Sequence, residues 1–158
     1  MPVRILFVCL GNICRSPMAE FIMKDMVARA GLTDKIYVES AATSYEEEGN
    51  DIYPPARRKL DREGVPYSKR GARRITASDY EIFDMIIAME KRNISGIMRV
   101  IEKDPDHKVR TLLDRDIADP WYTGDFDRTY DDLTEGCAAL LNELRAITNN
   151  SRKDTSSR

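Results

Sequence analysis

The sequence predicts an α/β fold, in which a four-stranded parallel sheet is flanked by helices on both faces. Short apolar segments alternate along the chain with longer segments whose apolar residues recur at helical spacing. Such alternation is typical of parallel strands joined by right-handed helical crossovers. The length of 158 residues and the hydrophobic fraction of 42% fit one domain with a closed core. We assign that domain to residues 1–148.

The first strand and the first helix are separated by a short turn. The apolar run Val3–Val8 predicts a strand buried on both faces. A helix is predicted over Pro17–Ala30, because proline suits the first helical position and Gly31 can end the helix. Its apolar stripe consists of Met18, Phe21, Ile22, Met26 and Val27. The turn between the two elements therefore lies at the carboxyl end of the first strand, where ligands bind in open α/β sheets.

Two further strands and two further helices follow in the middle of the chain. The short segment Ile36–Glu39 and the apolar run Met85–Met89 predict the second and third strands. Helices are predicted over Pro54–Glu63, which Gly64 stops, and over Asn93–Glu102.

The last strand and helix complete the predicted domain. The fourth strand is predicted over Val109–Leu113, and a long helix over Tyr130–Ile147. The apolar stripe of this helix consists of Tyr130, Leu133, Cys137, Leu140, Leu141, Leu144 and Ile147. The polar residues 149–158 that follow are expected to form a disordered tail.

Composition excludes several classes of function. The net charge of −2 gives no global field that would attract nucleic acid or an anionic membrane. No signal peptide and no stretch of about 18 apolar residues is present, so we expect a cytoplasmic protein that binds neither nucleic acid nor membranes. We also expect a monomer or weak self-association.

Cysteine and histidine are scarce. The three cysteines, Cys9, Cys14 and Cys137, are too few for a disulfide framework, so their interest lies in reactivity or metal binding. The single histidine, His107, lies in a polar segment and fits a surface residue. This supply is poor for a zinc site, and any Cys–His or Ser–His–Asp enzyme would depend on His107 alone.

The segment CLGNICRS, residues 9–16, predicts a cradle for a tetrahedral oxyanion. Gly11 and Asn12 tolerate positive φ, which allows successive backbone N–H groups to point inward at a helix N-terminus. Arg15 adds a planar fork that matches two phosphate oxygens. Neither GxxxxGK[ST] nor GxGxxG is present, so a nucleotide is not the expected ligand. The residues expected to bind or support the phosphate are Leu10, Gly11, Asn12, Ile13, Cys14 and Ser16.

Cys9 lies at the base of this cradle. Inward N–H groups, a helix dipole and Arg15 all favour a thiolate, which would be a nucleophile aimed at phosphorus. Attack would form a phosphocysteine, and Ser16 could donate its hydroxyl to the sulfur when the intermediate breaks down. Cys14 either packs the loop or forms a disulfide with Cys9 under oxidation, which would protect the nucleophile.

The segment VCLGNICRSPMAE, residues 8–20, resembles the signature of the low-molecular-weight protein tyrosine phosphatases almost letter for letter. SAATS at residues 40–44, AME followed by Asn93, and DPWY at residues 119–122 occur in the order and spacing of that family. The resemblance extends over roughly Val3 to Ile147. It implies a phosphate-binding loop after the first strand of a four-stranded parallel sheet, and no metal or organic cofactor.

The resemblance also assigns the general acid and the substrate slot. Asp119 precedes a proline, which favours an extended conformation, and two aromatic residues follow it. In the family this aspartate is the general acid, and the aromatics, here Trp121 and Tyr122, line the phosphotyrosine slot. The resemblance further implies that Asn12 and Ser40 hold the cradle through hydrogen bonds with Ser16.

The sequence departs from the family at two places. The family often has a histidine in the segment matching YSKRGAR, where this chain has Lys69 and Arg70. Glu90 stands where the family usually has aspartate, and its longer side chain is expected to reach Asn93 or the cradle. In the variable loop that borders the entrance, Tyr45 is expected to form a wall. The three glutamates after it either form a solvated turn or favour substrates with basic flanks.

The predicted function is hydrolysis of phosphotyrosine in proteins, with inorganic phosphate as product. A protein-arginine phosphatase on the same scaffold is the alternative, because family members of that kind resemble this sequence closely, but they carry threonine at the position of Ile13. The apolar Ile13 favours an aromatic ring. Arsenate reduction would need two further cysteines on a mobile segment, whereas the only cysteine outside the cradle is Cys137. A phosphate-binding module would not need Cys9.

Overall fold

The fold is described from a computed structural model, which covers the backbone of residues 2–156 and the side chains of residues 2–148. Its strands are β1 Val3–Cys9, β2 Ile36–Ala42, β3 Met85–Ala88 and β4 Val109–Thr111. Its helices are α1 Arg15–Arg29, α2 Pro54–Arg62, α3 Asp79–Ile82, α4 Lys91–Ile101, α5 Pro120–Thr123 and α6 Phe126–Ser156. None of the helices in this described part is long and apolar enough to cross a membrane.

The four strands form one sheet in the order β2-β1-β3-β4, and all neighbouring pairs are parallel. β1 lies in the interior, and its register places Cys9 beside Ala42 at the carboxyl end of β2. The predicted four-stranded parallel sheet is therefore confirmed. The loop after β1 leaves the sheet next to the point where β3 leads into α4.

Helices cover both faces of the sheet, as predicted. On one face, Ile5, Phe7 and Cys9 pack with residues of α1, α2 and α6. On the other face, Leu6 and Val8 pack with Ile97 of α4 and with residues around α3. The alternation along β1 thus buries successive side chains in two different cores, which explains why residues 5–9 of this strand are all apolar.

The first helix begins earlier than the sequence predicts. α1 starts at Arg15, so Pro17 is its third residue rather than its first. The first four N–H groups of a helix have no intrahelical acceptor, so proline costs no hydrogen bond there. β2 also continues to Ala42, beyond the predicted end at Glu39, because its pairing with β1 extends to Cys9. As a result, α1 includes Arg15 and Ser16, and β2 includes Ser40.

The end of the chain differs more from the predictions. α6 begins at Phe126 instead of Tyr130, and its backbone is helical to Ser156 instead of ending at Ile147. Ile147 is 52% exposed, so it does not belong to the buried stripe. The side chains from residue 149 onward and the last two residues lie outside the described part. The expected disorder of the tail and the domain boundary at 148 stay predictions.

Candidate active site

The loop between β1 and α1 forms a cradle with free hydrogen-bond donors. Asn12 adopts φ 59°, the left-handed conformation that lets the loop curl. Within the described part of the protein, six backbone N–H groups of this segment have no acceptor, those of Leu10, Gly11, Ile13, Cys14, Arg15 and Ser16. The beginning of α1 adds the positive end of a helix dipole. The loop is therefore suited to bind an anion.

Cys9 is the last residue of β1 and lies at the base of the cradle. Its side chain is buried, and its residue exposure is 3%. The Sγ atom lies 3.0 Å from Ser16 Oγ and accepts a hydrogen bond from the Asn12 backbone N–H at 3.3 Å. These two neighbours can each stabilise a negative charge on sulfur.

Asn12 connects the cradle to β2. Its Nδ2 group donates to Ser16 Oγ at 2.8 Å and to Ser40 Oγ at 2.9 Å. Ser40 in turn donates to Glu20 Oε1 at 2.6 Å. Ser40 therefore reaches Ser16 only through Asn12, which corrects the expectation that Ser40 bonds to Ser16.

Arg15 is the largest fully buried side chain, with 1% exposure. Its Nη1 donates to Ile117 O at 2.8 Å, and its Nη2 donates to Glu90 Oε1 at 3.2 Å and Asp119 Oδ2 at 3.3 Å. A guanidinium has five N–H donors, so two remain for a bound oxyanion. These three contacts hold the fork in one orientation.

Asp119 is held in place by both of its oxygens. As N-cap of α5 it accepts a hydrogen bond from Trp121 N at Oδ1, 3.0 Å away, while Oδ2 faces Arg15. Two hydrogen bonds anchor the preceding loop: Ile117 N donates to Met89 O, and Thr129 Oγ1 donates to Ala118 O. The carboxyl group consequently lies beside the cradle on a restrained backbone.

Glu90 reaches both partners that the sequence proposed. As N-cap of α4 it forms a capping box with Asn93, and its Oε1 pairs with Arg15. Asn93 Oδ1 also accepts from Met89 N and Glu90 N, which ties the end of β3 to α4. The glutamate therefore links the helix cap to the arginine of the cradle.

One cavity of about 120 Å³ opens onto these groups. It is lined by Cys9, Leu10, Gly11, Ile13, Cys14, Arg15, Glu46, Glu47, Asp119, Trp121 and Tyr122. The structure thus brings together the proposed nucleophile, the proposed acid and three of the four proposed wall residues. Apolar and aromatic walls above a charged base suit a phosphorylated ring.

Tyr45 does not line this cavity, contrary to expectation. Its ring stacks on the guanidinium of Arg74 at 4.3 Å, and its hydroxyl accepts from Arg74 Nη1 at 2.9 Å. Arg74 is itself fixed by its Nε donating to Thr43 O. Glu46 and Glu47 occupy the wall in its place.

Trp121 is supported by an aromatic residue that the sequence did not single out. The rings of Tyr53 and Trp121 lie 4.7 Å apart at 51°. Tyr53 N also donates to Ile13 O at 2.9 Å. Tyr53 therefore connects two walls of the cavity, although Trp121 itself is 51% exposed.

The three cysteines are free thiols in different surroundings. Burial, followed by the charge of Cys9, raises the pKa of the Cys14 thiol far above its usual range. Burial raises the pKa of Cys137 to about 12. Cys14 lines the same cavity as Cys9, whereas Cys137 lies in the core, with no exposed surface.

Arg70 contacts the cradle in a way that the sequence did not predict. Its Nη2 donates to the backbone oxygen of Asn12 at 2.6 Å and to the side-chain oxygen Oδ1 of the same residue. The neighbouring Lys69 is exposed. The basic segment around Arg70 drew attention to this position in the sequence. Its partner, Asn12, could not be identified there because it lies 58 residues away.

No cluster of three or more histidine, cysteine, aspartate or glutamate side chains suited to a metal ion occurs among the residues that the structure describes. The expectation that the protein needs no metal or organic cofactor stays a prediction.

Sequence comparison finds relatives along almost the whole chain. A family model described as low molecular weight phosphotyrosine protein phosphatase matches residues 4–150. The Bacillus subtilis low molecular weight protein-tyrosine-phosphatase YfkJ is 37% identical over 150 residues, which cover 90% of this chain and 96% of the relative. The low molecular weight phosphotyrosine protein phosphatase of Homo sapiens is 37% identical over 147 residues, covering 87% and 92%.

The comparison with solved structures also finds phosphatases of this kind, with the same fold. The crystal structure of YfkJ from Bacillus subtilis matches with a TM-score of 0.90 at 36% identity, covering 93% of this chain and 97% of that one. SP-PTP, the low molecular weight protein tyrosine phosphatase from Streptococcus pyogenes, matches with a TM-score of 0.84 at 38% identity, covering 90% and 93%.

Proposed function

The chain belongs to the low molecular weight phosphotyrosine protein phosphatase family and is an enzyme of the protein-tyrosine-phosphatase class, and on that premise we propose that it hydrolyses phosphotyrosine in proteins through a phosphocysteine on Cys9. The observation that carries this proposal is the convergence of Cys9, Arg15 and Asp119 on one cavity. Binding alone would require the donors of the cradle but not a thiol beneath them.

The first step transfers the phosphoryl group to the enzyme. The free N–H groups of the loop and the two unused donors of Arg15 hold the phosphate oxygens. The Cys9 thiolate attacks phosphorus and forms the S–P bond, while the P–O bond to the phenol breaks. Asp119, in its acid form, gives its proton to the leaving phenolate oxygen.

The second step releases inorganic phosphate. Asp119, now a carboxylate, takes a proton from a water molecule as that water attacks phosphorus. The S–P bond breaks, and its electron pair returns to Cys9 Sγ. Ser16 Oγ lies 3.0 Å from that sulfur and donates a hydrogen bond to the thiolate as it departs.

The walls of the cavity favour an aromatic phosphate ester. Ile13, Trp121 and Tyr122 provide apolar and aromatic surface above the cradle, which suits the ring of phosphotyrosine. Phosphoarginine would place a polar guanidinium against the same side chains. The arsenate reductase alternative is disfavoured because Cys137 is fully buried on α6, where its Sγ faces Ala19 O.

Side-by-side assays of matched phosphotyrosine and phosphoarginine peptides test the proposal. We expect faster turnover of phosphotyrosine, and Cys9→Ser should abolish turnover while phosphate still binds. Cys137→Ala is the matched control and should retain activity. Faster turnover of phosphoarginine would overturn the substrate, and turnover by Cys9→Ser would overturn the mechanism.

The biological setting rests on the same proposal. We propose phosphotyrosine proteins or peptides as the partners and the cytoplasm as the compartment. The expectation of a monomer or weak self-association stays a prediction.

A further inference from the structure

We propose that Arg70 is a positioning residue that sets the direction of the hydrogen-bond chain ending on the catalytic sulfur. This inference rests on the proposed function, since it assigns Arg70 a part in the breakdown of the phosphocysteine. The chain runs from Arg70 through Asn12 and Ser16 to Cys9.

Arg70 is held so that its guanidinium meets two oxygens of one residue. Nη2 contacts both the backbone oxygen and Oδ1 of Asn12, while Nη1 donates to Asn50 O at 3.1 Å. The Arg70 backbone N–H also donates to Asp51 Oδ1 at 3.4 Å. Among the described residues its guanidinium forms no ion pair, so its donors serve these oxygens rather than a carboxylate.

The contact determines which way the Asn12 amide faces. A guanidinium can only donate, so the atom that meets Arg70 must be Oδ1, and the Arg73 backbone N–H donates to that oxygen as well at 3.2 Å. Nδ2 is therefore directed at Ser16 and Ser40. Asn12 has no exposed surface and a left-handed backbone, so clamping its backbone oxygen also restrains the turn of the cradle.

The orientation of Asn12 in turn directs the Ser16 proton. Ser16 Oγ accepts from Asn12 Nδ2, and its single hydrogen can go to Cys9 Sγ at 3.0 Å or to Ala41 O at 3.4 Å. The sulfur is the nearer acceptor, and it becomes anionic as the phosphocysteine breaks down. Arg70 thereby favours the arrangement in which Ser16 donates to the leaving thiolate.

The arrangement matters most in the second chemical step. During attack by the thiolate, a hydrogen bond from Ser16 also stabilises the ground state. During breakdown, the electron pair of the S–P bond moves onto sulfur, so the same hydrogen bond forms its full strength only as the reaction proceeds. Loss of the Arg70 contact should therefore slow breakdown more than formation of the intermediate.

Rapid-quench measurement of phosphocysteine with p-nitrophenyl phosphate tests the inference. We expect Arg70→Ala to slow breakdown by about 10-fold to 100-fold, the effect of one disrupted buried hydrogen-bond chain, so that more phosphocysteine accumulates. Arg70→Lys keeps one charged donor and should recover part of the rate. Lys69→Ala is the matched control, because Lys69 is the exposed neighbouring cation, and it should behave as the unchanged protein.

Chemical rescue separates positioning from general stabilisation. Guanidinium chloride at millimolar concentration should speed breakdown in Arg70→Ala, and an equal concentration of sodium chloride should not. The inference is overturned if both Arg70 variants accumulate the same fraction of phosphocysteine as the unchanged protein. It is also overturned if formation and breakdown of phosphocysteine slow equally and guanidinium gives no rescue. If the unchanged protein forms no phosphocysteine at all, it is the proposed function that fails instead.

Discussion

The replacement Asp119→Asn tests the acid in the proposed mechanism, because it removes a transferable proton with little change in shape. The asparagine oxygen can still accept from Trp121 N, which Asp119 Oδ1 does at 3.0 Å, and asparagine is as good an N-cap as aspartate. The variant loses the contact with Arg15 at 3.3 Å, but Arg15 keeps Glu90 and Ile117 O. We therefore expect a folded enzyme with an intact cradle.

The magnitude of the effect follows from the role of the proton. General acid catalysis contributes about 10²-fold to 10⁴-fold, equivalent to about 3–5 kcal/mol of barrier. The full loss should appear with phosphotyrosine and other phenyl phosphates, whose phenolate leaving groups are basic. Aryl phosphates with strongly acidic phenols leave without a proton and should lose much less.

The assay is the dependence of kcat/KM on the pKa of the leaving phenol. The unchanged protein should show a shallow slope across a series of aryl phosphates, and Asp119→Asn a steep one. Asp114→Asn is the matched control, because the Asp114 side chain is 95% exposed, and it should leave the slope unchanged. Equal slowing of every aryl phosphate by Asp119→Asn would refute the assignment of Asp119 as the acid.

Three further predictions concern the walls and the second thiol. Replacing Glu46 and Glu47 by glutamine should lower kcat/KM for peptides with lysine beside the phosphotyrosine by about 1.5-fold to 5-fold, which is the effect of losing an exposed ion pair. Added salt should lower kcat/KM of the unchanged protein in the same way, and an equal effect of the replacement on glutamate-flanked peptides would contradict the prediction. After mild peroxide and then a reductant, Cys14→Ala should recover less activity than the unchanged protein, because Cys14 shares the cavity with Cys9; equal recovery would rule out a protective disulfide. Ile13→Thr should raise the ratio of phosphoarginine to phosphotyrosine turnover, measured on matched peptides, and an unchanged ratio would show that Ile13 does not set specificity.

The sequence predicted the sheet and the cradle well, because both depend on local patterns. The apolar run that becomes β1 and the dense motif from Cys9 to Ser16 encode a strand, a turn and a helix start within one short segment. The position of Asp119 beside the cavity was available only through the resemblance to the phosphatase family. Its neighbouring proline alone indicated nothing more than an extended backbone.

Local sequence patterns could not predict several contacts between distant segments. Arg70 meets Asn12 across 58 residues, and Tyr45 turns toward Arg74 across 29. Such pairings depend on how the loops pass over the sheet, which no local pattern specifies. The role of Glu20 was missed for another reason. A glutamate on a helix resembles any solvated polar residue in the sequence, whereas in the structure Glu20 accepts a hydrogen bond from the Ser40 hydroxyl.

Mass spectrometry of the enzyme quenched in acid during turnover of a phosphotyrosine peptide tests whether Cys9 carries the phosphoryl group. We expect one added phosphoryl group on the peptide that contains Cys9, and none in Cys9→Ser. Rapid turnover with no phosphate on Cys9 at any quench time, or phosphate on a different residue, would contradict it.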